Sequence, residues 1–168
     1  LEQRMTPCLV PKSSPMGQLT GGTNMVVLEG DQVEQVVLRG PGAGEGPTAS
    51  AVMGDVMDIA RGFRVSTFGV PAGSLSETTL AKTATPAPYY LRLSLEDKPG
   101  ALAKLASVLG DAGVSIDRMR QYRHDAGAAP ILIVTHKTTR DALDAAITGM
   151  DRLDVVKDAP VALRIETV

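Results

Sequence analysis

Within residues 89–168, strand and helix signals alternate in the order strand, helix, strand, strand, helix, strand, and that order narrows most what the chain can fold into. The run "YYLRLSL" puts Leu91, Leu93 and Leu95 on one face, the period-two pattern of a half-buried strand. Asp97 and Pro99 then open a helix bearing Leu102, Leu105 and Leu109, which closes at Gly113. "VSIDRMRQYRH" reads as a second strand whose inward phase, set by Val114 and Ile116, slips near Arg118 and Met119, as at a β-bulge. "DAGAAP" turns the chain into the strand "ILIVTHK". Thr138, with Asp141 three residues on, caps a second helix carrying Leu143, Ile147, Met150 and Leu153. "VALRIE" closes the set, Val161, Leu163 and Ile165 alternating with Ala162, Arg164 and Glu166. The fold class is therefore α+β, and the order βαββαβ is the split arrangement of a ferredoxin-like sandwich.

Residues 1–62 have a different texture. "NMVVLEGDQVEQVVLRG" places an apolar run on each side of Gly30-Asp31, a pair suited to a two-residue hairpin turn. "RGPGAGEGPTASAV" follows, too rich in Gly and Pro to pack a core, yet it leads directly into a helix. Thr48 is the expected cap, Val52, Val56, Ile59 and Ala60 keep helical spacing, and Gly62 ends the run. Residues 63–88 hold Ser, Thr, Ala, Pro and Gly without a period, the composition of a linker. Three zones result: a piece of a larger domain at 1–62, a linker at 63–88 and a self-sufficient domain at 89–168.

Charge and composition exclude several function classes. A formal net charge of −2 and only five aromatic residues (three Tyr, two Phe) argue against a backbone-gripping nucleic-acid protein. An RNA-recognition module would share the strand order, but its central strands need stacking rings that "ILIVTHK" lacks. No apolar run reaches membrane-spanning length, and Pro7, Pro11 and Pro15 break up the first twenty residues, so no membrane partner and a cytoplasmic location are expected. The chain begins in mid-pattern with Leu1, which suggests a fragment.

Read locally, few residues carry chemistry. His124 and His136 have no Asp or Cys at ligand spacing, Lys12 sits in a Pro-rich extended stretch, and Cys8 has no partner for a disulfide. Asp55 and Asp58 share one turn of a helix and read as a hydrogen-bonding face, and Arg118, Arg120, Arg123 and Asp125 as an exposed strand face or dimer rim. The segment "DKPGAL" can be a plain helix cap. Equally, Gly100 at a helix start would let a ligand carboxylate approach free N–H groups and the positive end of the dipole.

Two stretches resemble known families. "LEDKPGALAKLASVLGDAGVSID" is similar to the first half of an ACT domain, an amino-acid-binding regulatory module, and the likeness continues to the end of the chain. "GPGAGEGPTASAVMGDVMDIA" resembles the signature near the end of the catalytic region of homoserine dehydrogenases, Gly-x-Gly-Ala-Gly-x-x-Pro-Thr-x-Ser-Ala-Val-x-x-Asp, with every fixed position met. "CLVPKSSPMG" is also similar to that family's entry to this region, although Ser14 and Gly17 depart from its usual residues.

These likenesses imply reversible hydride transfer between L-homoserine and NAD or NADP on the route to threonine, isoleucine and methionine. They imply that Gly42, Ala43, Gly44 and Thr48 pass close to the cofactor's nicotinamide end; glycines that merely permit a tight turn would account for only part of the loop. They further imply an effector site, for L-threonine by the pathway's logic, formed by Asp97, Lys98, Pro99, Gly100 and Ala101 with Val114 and Ile116. A β-carbon at Gly100 is expected to intrude there. Pairing of ACT sheets into a homo-oligomer is implied too. With no Rossmann fingerprint on the chain, no catalytic residue and no metal ligand are assigned, and the chain alone is expected to be inactive. The other reading is a free-standing amino-acid-binding or dimerising ACT module.

Overall fold

The computed structural model describes residues 1–122 and 128–167; His124, Arg123, Asp125 and the middle of the "DAGAAP" turn lie outside them. The elements are β1 (Cys8–Leu9), β2 (Thr23–Gly30), β3 (Glu34–Pro41), α1 (Glu45–Ala60), β4 (Tyr89–Glu96), α2 (Ala101–Asp111), β5 (Ile116–Gln121), β6 (Ala128–Thr135), α3 (Arg140–Asp151) and β7 (Val161–Ile165). They fall into two compact units, Lys12–Thr79 and a second formed by Leu1–Pro11 with Leu80–Thr167.

The second unit is built on one sheet in the order β1-β7-β4-β6-β5. Its four C-terminal strands are antiparallel neighbours, β7 and β6 flanking β4, as the βαββαβ order requires. Tyr89, Leu91, Leu93 and Leu95 alternate into the core from β4, and Ala129, Ile131, Ile133 and Thr135 do so from β6. Ala101, Leu105 and Leu109 of α2 and Leu143, Ala146 and Met150 of α3 cover that face. Each set follows one helical stripe, so the two helices and the sheet share a single apolar core. Burying a Leu or Ile side chain contributes about 1.5–3 kcal/mol, which makes this layer the main source of the unit's stability.

Several local expectations change. The expected bulge is present but sits at Asp117, where the β5–β6 register shifts between Ile116 and Arg118. Thr139, not Thr138, caps α3, its hydroxyl accepting from the Ala142 N–H at 3.2 Å, because Thr138 is committed to a bridge with Ala87. In β7 the pairing Leu91↔Ala162 and Tyr89↔Arg164 turns Ala162 and Arg164 toward the helices, and Val161, Leu163 and Ile165 therefore lie on the other face. The fifth strand is β1, parallel to β7 with Cys8 opposite Arg164 and Leu9 opposite Ile165. Glu2 reinforces it, its carboxylate accepting from the Thr85 N–H at 3.0 Å and hydroxyl at 2.6 Å.

The unit Lys12–Thr79 holds the β2–β3 hairpin, in register from Thr23↔Pro41 to Gly30↔Glu34, and α1. The hairpin turns through Asp31–Val33, not the two residues expected, and Glu34 takes the left-handed φ of +58° instead of Gly30. Thr48 is not the cap of α1. The helix begins four residues earlier than that cap would give, at Glu45 with Gly44 as N-cap, and the Thr48 N–H donates to the Gly44 carbonyl at 3.1 Å. At the far end, Phe63 N–H to Asp58 O (2.9 Å) and Gly62 N–H to Ile59 O (3.0 Å) close the helix in a Schellman motif, with Gly62 at φ +75°. No residue from 12 to 79 is buried, and Val52, Val56 and Ile59 of α1 and Val26 and Leu28 of β2 all stand about half exposed or more.

Candidate functional site

The first helix of the βαββαβ unit starts from a tight loop. Gly100 is the N-cap of α2 at φ +83°, ψ −12°, a left-handed conformation that costs an L-residue with a β-carbon roughly 1–2 kcal/mol. The Ala101 N–H donates to Lys98 O at 3.2 Å and the Lys104 N–H to Gly100 O at 3.1 Å. A Cβ added at Gly100 would meet no protein atom within 4 Å, so within the chain itself it is the backbone conformation that requires glycine here.

Around this turn Asp97, Lys98, Pro99, Gly100 and Ala101 line one cleft of about 350 Å³ with Glu96 and Gln121. A charged network flanks it. Lys98 pairs with Glu96 at 2.7 Å and reaches Asp154 at 3.9 Å, Lys157 meets Glu96 at 3.6 Å, and Lys104 bonds Asp154 at 2.7 Å. The hydrogen bond from Lys98, then the charges of Lys157 and Lys98, hold the Glu96 carboxyl below its ordinary value, and the bond from Lys104 lowers that of Asp154. Lys98 is raised by its bond to Glu96. The cleft thus has the start of α2 and the Lys98–Glu96 ion pair in its lining, groups of both signs of charge.

The two remaining residues of the expected site part company. Val114 is buried in the core, so only its backbone can face a ligand; its N–H already donates to Leu109 O at 2.8 Å. Ile116 lines a separate apolar groove of about 340 Å³ with Leu102, Leu105 and Met119. Leu102, expected in the core, is half-buried and borders both openings, its core place being taken by Ala101. Glu96 adjoins the loop in sequence but carries no pattern that marks it, whereas Gln121 at the end of β5 and Asp154 and Lys157 of the segment after α3 are brought to the loop only by tertiary pairing, the latter two through the bridge of Leu95 with Val156.

In the other unit, Gly42, Ala43, Gly44 and Thr48 form the exposed entry to α1. A Cβ at Gly42 would lie 1.9 Å from Asn24 Nδ2 and 2.3 Å from its Cγ, so this glycine admits a side chain of the protein itself. At Gly40 and Gly46 a Cβ would meet nothing within 4 Å, which leaves bare backbone accessible to a flat ring. The loop is therefore exposed, and of its glycines Gly42 is the one whose Cβ position is filled by another side chain of the protein. Asp55 and Asp58 are exposed and line a wide cleft of about 680 Å³ with Phe63 and Arg64. Lys12, Cys8 and His136 are exposed, and no cluster of three metal-ligating side chains occurs among the described residues. None of their helices is long and apolar enough to cross a membrane.

Comparison with known proteins matches both halves. The homoserine dehydrogenase family model covers residues 1–57, and the ACT domain model covers residues 89–148. Homoserine dehydrogenase of Pseudomonas aeruginosa is 32% identical across 98% of this chain and 40% of its own length. That of Neisseria gonorrhoeae is 34% identical across 100% of this chain and 40% of its own. The crystal structure of a homoserine dehydrogenase from Thiobacillus denitrificans is 33% identical and superposes with a TM-score of 0.86, covering 99% of this chain and 39% of that one. The chain thus matches a homoserine dehydrogenase segment followed by an ACT domain, and it spans about two-fifths of the curated relatives it matches, corresponding to a C-terminal part of them.

Proposed function

We propose that this chain serves as the C-terminal part of a cytoplasmic homoserine dehydrogenase, in which residues 1–62 complete the catalytic region, residues 63–88 link, and the ACT unit at 89–168 senses an amino acid. The observation that carries this reading is the occurrence of both family segments, in order, on one chain that aligns over nearly its whole length with about two-fifths of such enzymes. The absence of any buried residue from 12 to 79 supports it: the apolar faces of α1 and the hairpin need a further layer to cover them.

The reaction is oxidation of L-homoserine to aspartate 4-semialdehyde and its reverse. NAD or NADP, when bound, supplies the hydride acceptor. The contribution of this chain is positional: the backbone at Gly42, Ala43 and Gly44, with Thr48, presents small residues to the cofactor's ring. The lysines that would move protons and contact substrate belong to the part not on this chain, so the chain alone turns nothing over.

In the ACT unit the cleft at Asp97–Ala101 takes L-threonine, its carboxylate on the α2 N-terminus and its ammonium toward Glu96. The backbone at Val114 and the side chain of Ile116 complete the site at the contact with a second copy. Calorimetric titration of L-threonine, L-methionine and L-isoleucine into the chain tests this, with Gly100→Asp as the variant. Threonine should bind the wild type and fail to bind Gly100→Asp, because the added carboxylate repels the ligand's own. Equal affinity in both would remove the site from Asp97–Ala101, and binding of no amino acid would make the unit a structural dimeriser.

A further inference from the structure

At the start of β4, the opposite end of the strand from the Asp97–Ala101 loop, lies a second cleft of about 330 Å³. Three guanidinium groups line it: Arg4 from the segment before β1, Arg140 from the first position of α3 and Arg164 from β7. Tyr89, paired directly with Arg164 across the sheet, forms its back, and Thr6 adds a hydroxyl. No acidic residue is among the lining groups. Because β7 turns Arg164 toward the helices, that side chain is only 10% exposed, an unusual burial for a cation on a core-facing strand position.

Each arginine has an acidic partner outside the cleft: Glu2 for Arg4, Asp144 for Arg140 at 2.8 and 2.9 Å, and Glu166 for Arg164. These contacts hold the side chains in place and use only part of their donor capacity. Arg164 spends Nε on Glu166 and Nη1 on the Thr85 carbonyl at 3.0 Å, and Arg140 spends Nε and Nη2 on Asp144. With five N–H donors apiece, the guanidinium groups keep donors for a guest.

We infer that this cleft is an oxyanion site, distinct from the amino-acid cleft, for a compact ligand carrying two negative charges, such as a phosphate monoester or a dicarboxylate. Three arginines held by outside carboxylates form a preorganised receptor suited to charge-assisted, bidentate bonds with the oxygens of a dianion. Ala84, Ala162 and Pro7 give it apolar walls that fit a short carbon body. Since Arg4 and Thr6 come from the N-terminal segment and the other two arginines from the βαββαβ core, the guest would also fasten β1 to the sheet.

The test uses the whole chain with inorganic phosphate and with succinate as probes, followed by amide NMR and calorimetry at constant ionic strength. Saturable shifts are expected at Tyr89, Arg140 and Leu163. Removing two guanidinium groups in Arg4→Gln/Arg140→Gln should weaken binding by about tenfold or more, while Arg92→Gln, exposed on the other face of β4, leaves it unchanged. A response to only one probe keeps the site and identifies its chemistry, and a response undisturbed by saturating threonine separates it from the proposed effector cleft. Absence of saturable shifts, shifts centred on Asp97–Ala101, or equal weakening by Arg92→Gln would overturn the proposal.

Discussion

Replacing Gly149 by Ala should reveal how tightly α2 and α3 are fitted. A Cβ built at Gly149 falls 2.7 Å from Val108 Cγ1, about 1 Å inside ordinary carbon–carbon contact. Val108 lies on a helix, where a β-branched side chain has essentially one allowed χ1, so it cannot swing aside cheaply. Overpacking of this kind costs about 1–3 kcal/mol, whereas Gly→Ala in a helix contributes about 0.8–1.0 kcal/mol in the other direction. The net change should be a destabilisation of up to ~2 kcal/mol. In a Val108→Ala background the overlap disappears, and the same substitution should stabilise by close to ~1 kcal/mol. Urea unfolding followed by far-UV circular dichroism, run on all four corners of the double-mutant cycle, measures the coupling. An additive cycle, with Gly149→Ala stabilising in both backgrounds, would refute the argument.

Three further outcomes follow from the same geometry. Gly42→Ala should loosen the hairpin and the entry to α1, as seen in faster amide exchange at residues 24–42, and Asn24→Ala should restore protection because it removes the atoms 1.9–2.6 Å from the new Cβ. Gly100→Ala should destabilise by about 1–2 kcal/mol and Gly100→Asn by clearly less, since Asn tolerates the left-handed region; equal losses in thermal unfolding would show that space, not conformation, governs the position. For pH, the folded Glu96 carboxyl lies below its ordinary 4.5 and that of Asp154 below 3.8, so their contribution is complete above those values. It is lost as pH falls through the depressed folded values, and Glu96→Gln should flatten the acid limb of the stability curve in low salt while high salt shrinks the difference.

Much of the βαββαβ unit was legible in the sequence because its signals are local and agree with one another. Leu91, Leu93 and Leu95 alternate with polar residues, Leu143 and Met150 fall on one helical stripe, and Gly113 sits where the chain must become left-handed to leave α2. The α+β order and the loop at Asp97–Ala101 follow from those facts, and so does the break in β5, displaced only to Asp117. Other features depend on what is opposite, which no local pattern states. Apolar Val161, Leu163 and Ile165 argue for an inward phase, but the register with β4 turns Ala162 and Arg164 inward, because cross-strand partners must share a face. Pairing across the whole length of the chain likewise assigns Cys8 and Leu9 to the C-terminal sheet, although their neighbours in sequence lead into the other unit. Val114 and Ile116 are two residues apart and would line one site if the strand were regular. The turn out of α2 buries the first and leaves the second on a groove. The sequence by itself determined the elements and their order, since propensity, capping and periodicity act within a few residues. The tertiary structure decided which side chains meet, because register and burial are set by partners distant in sequence.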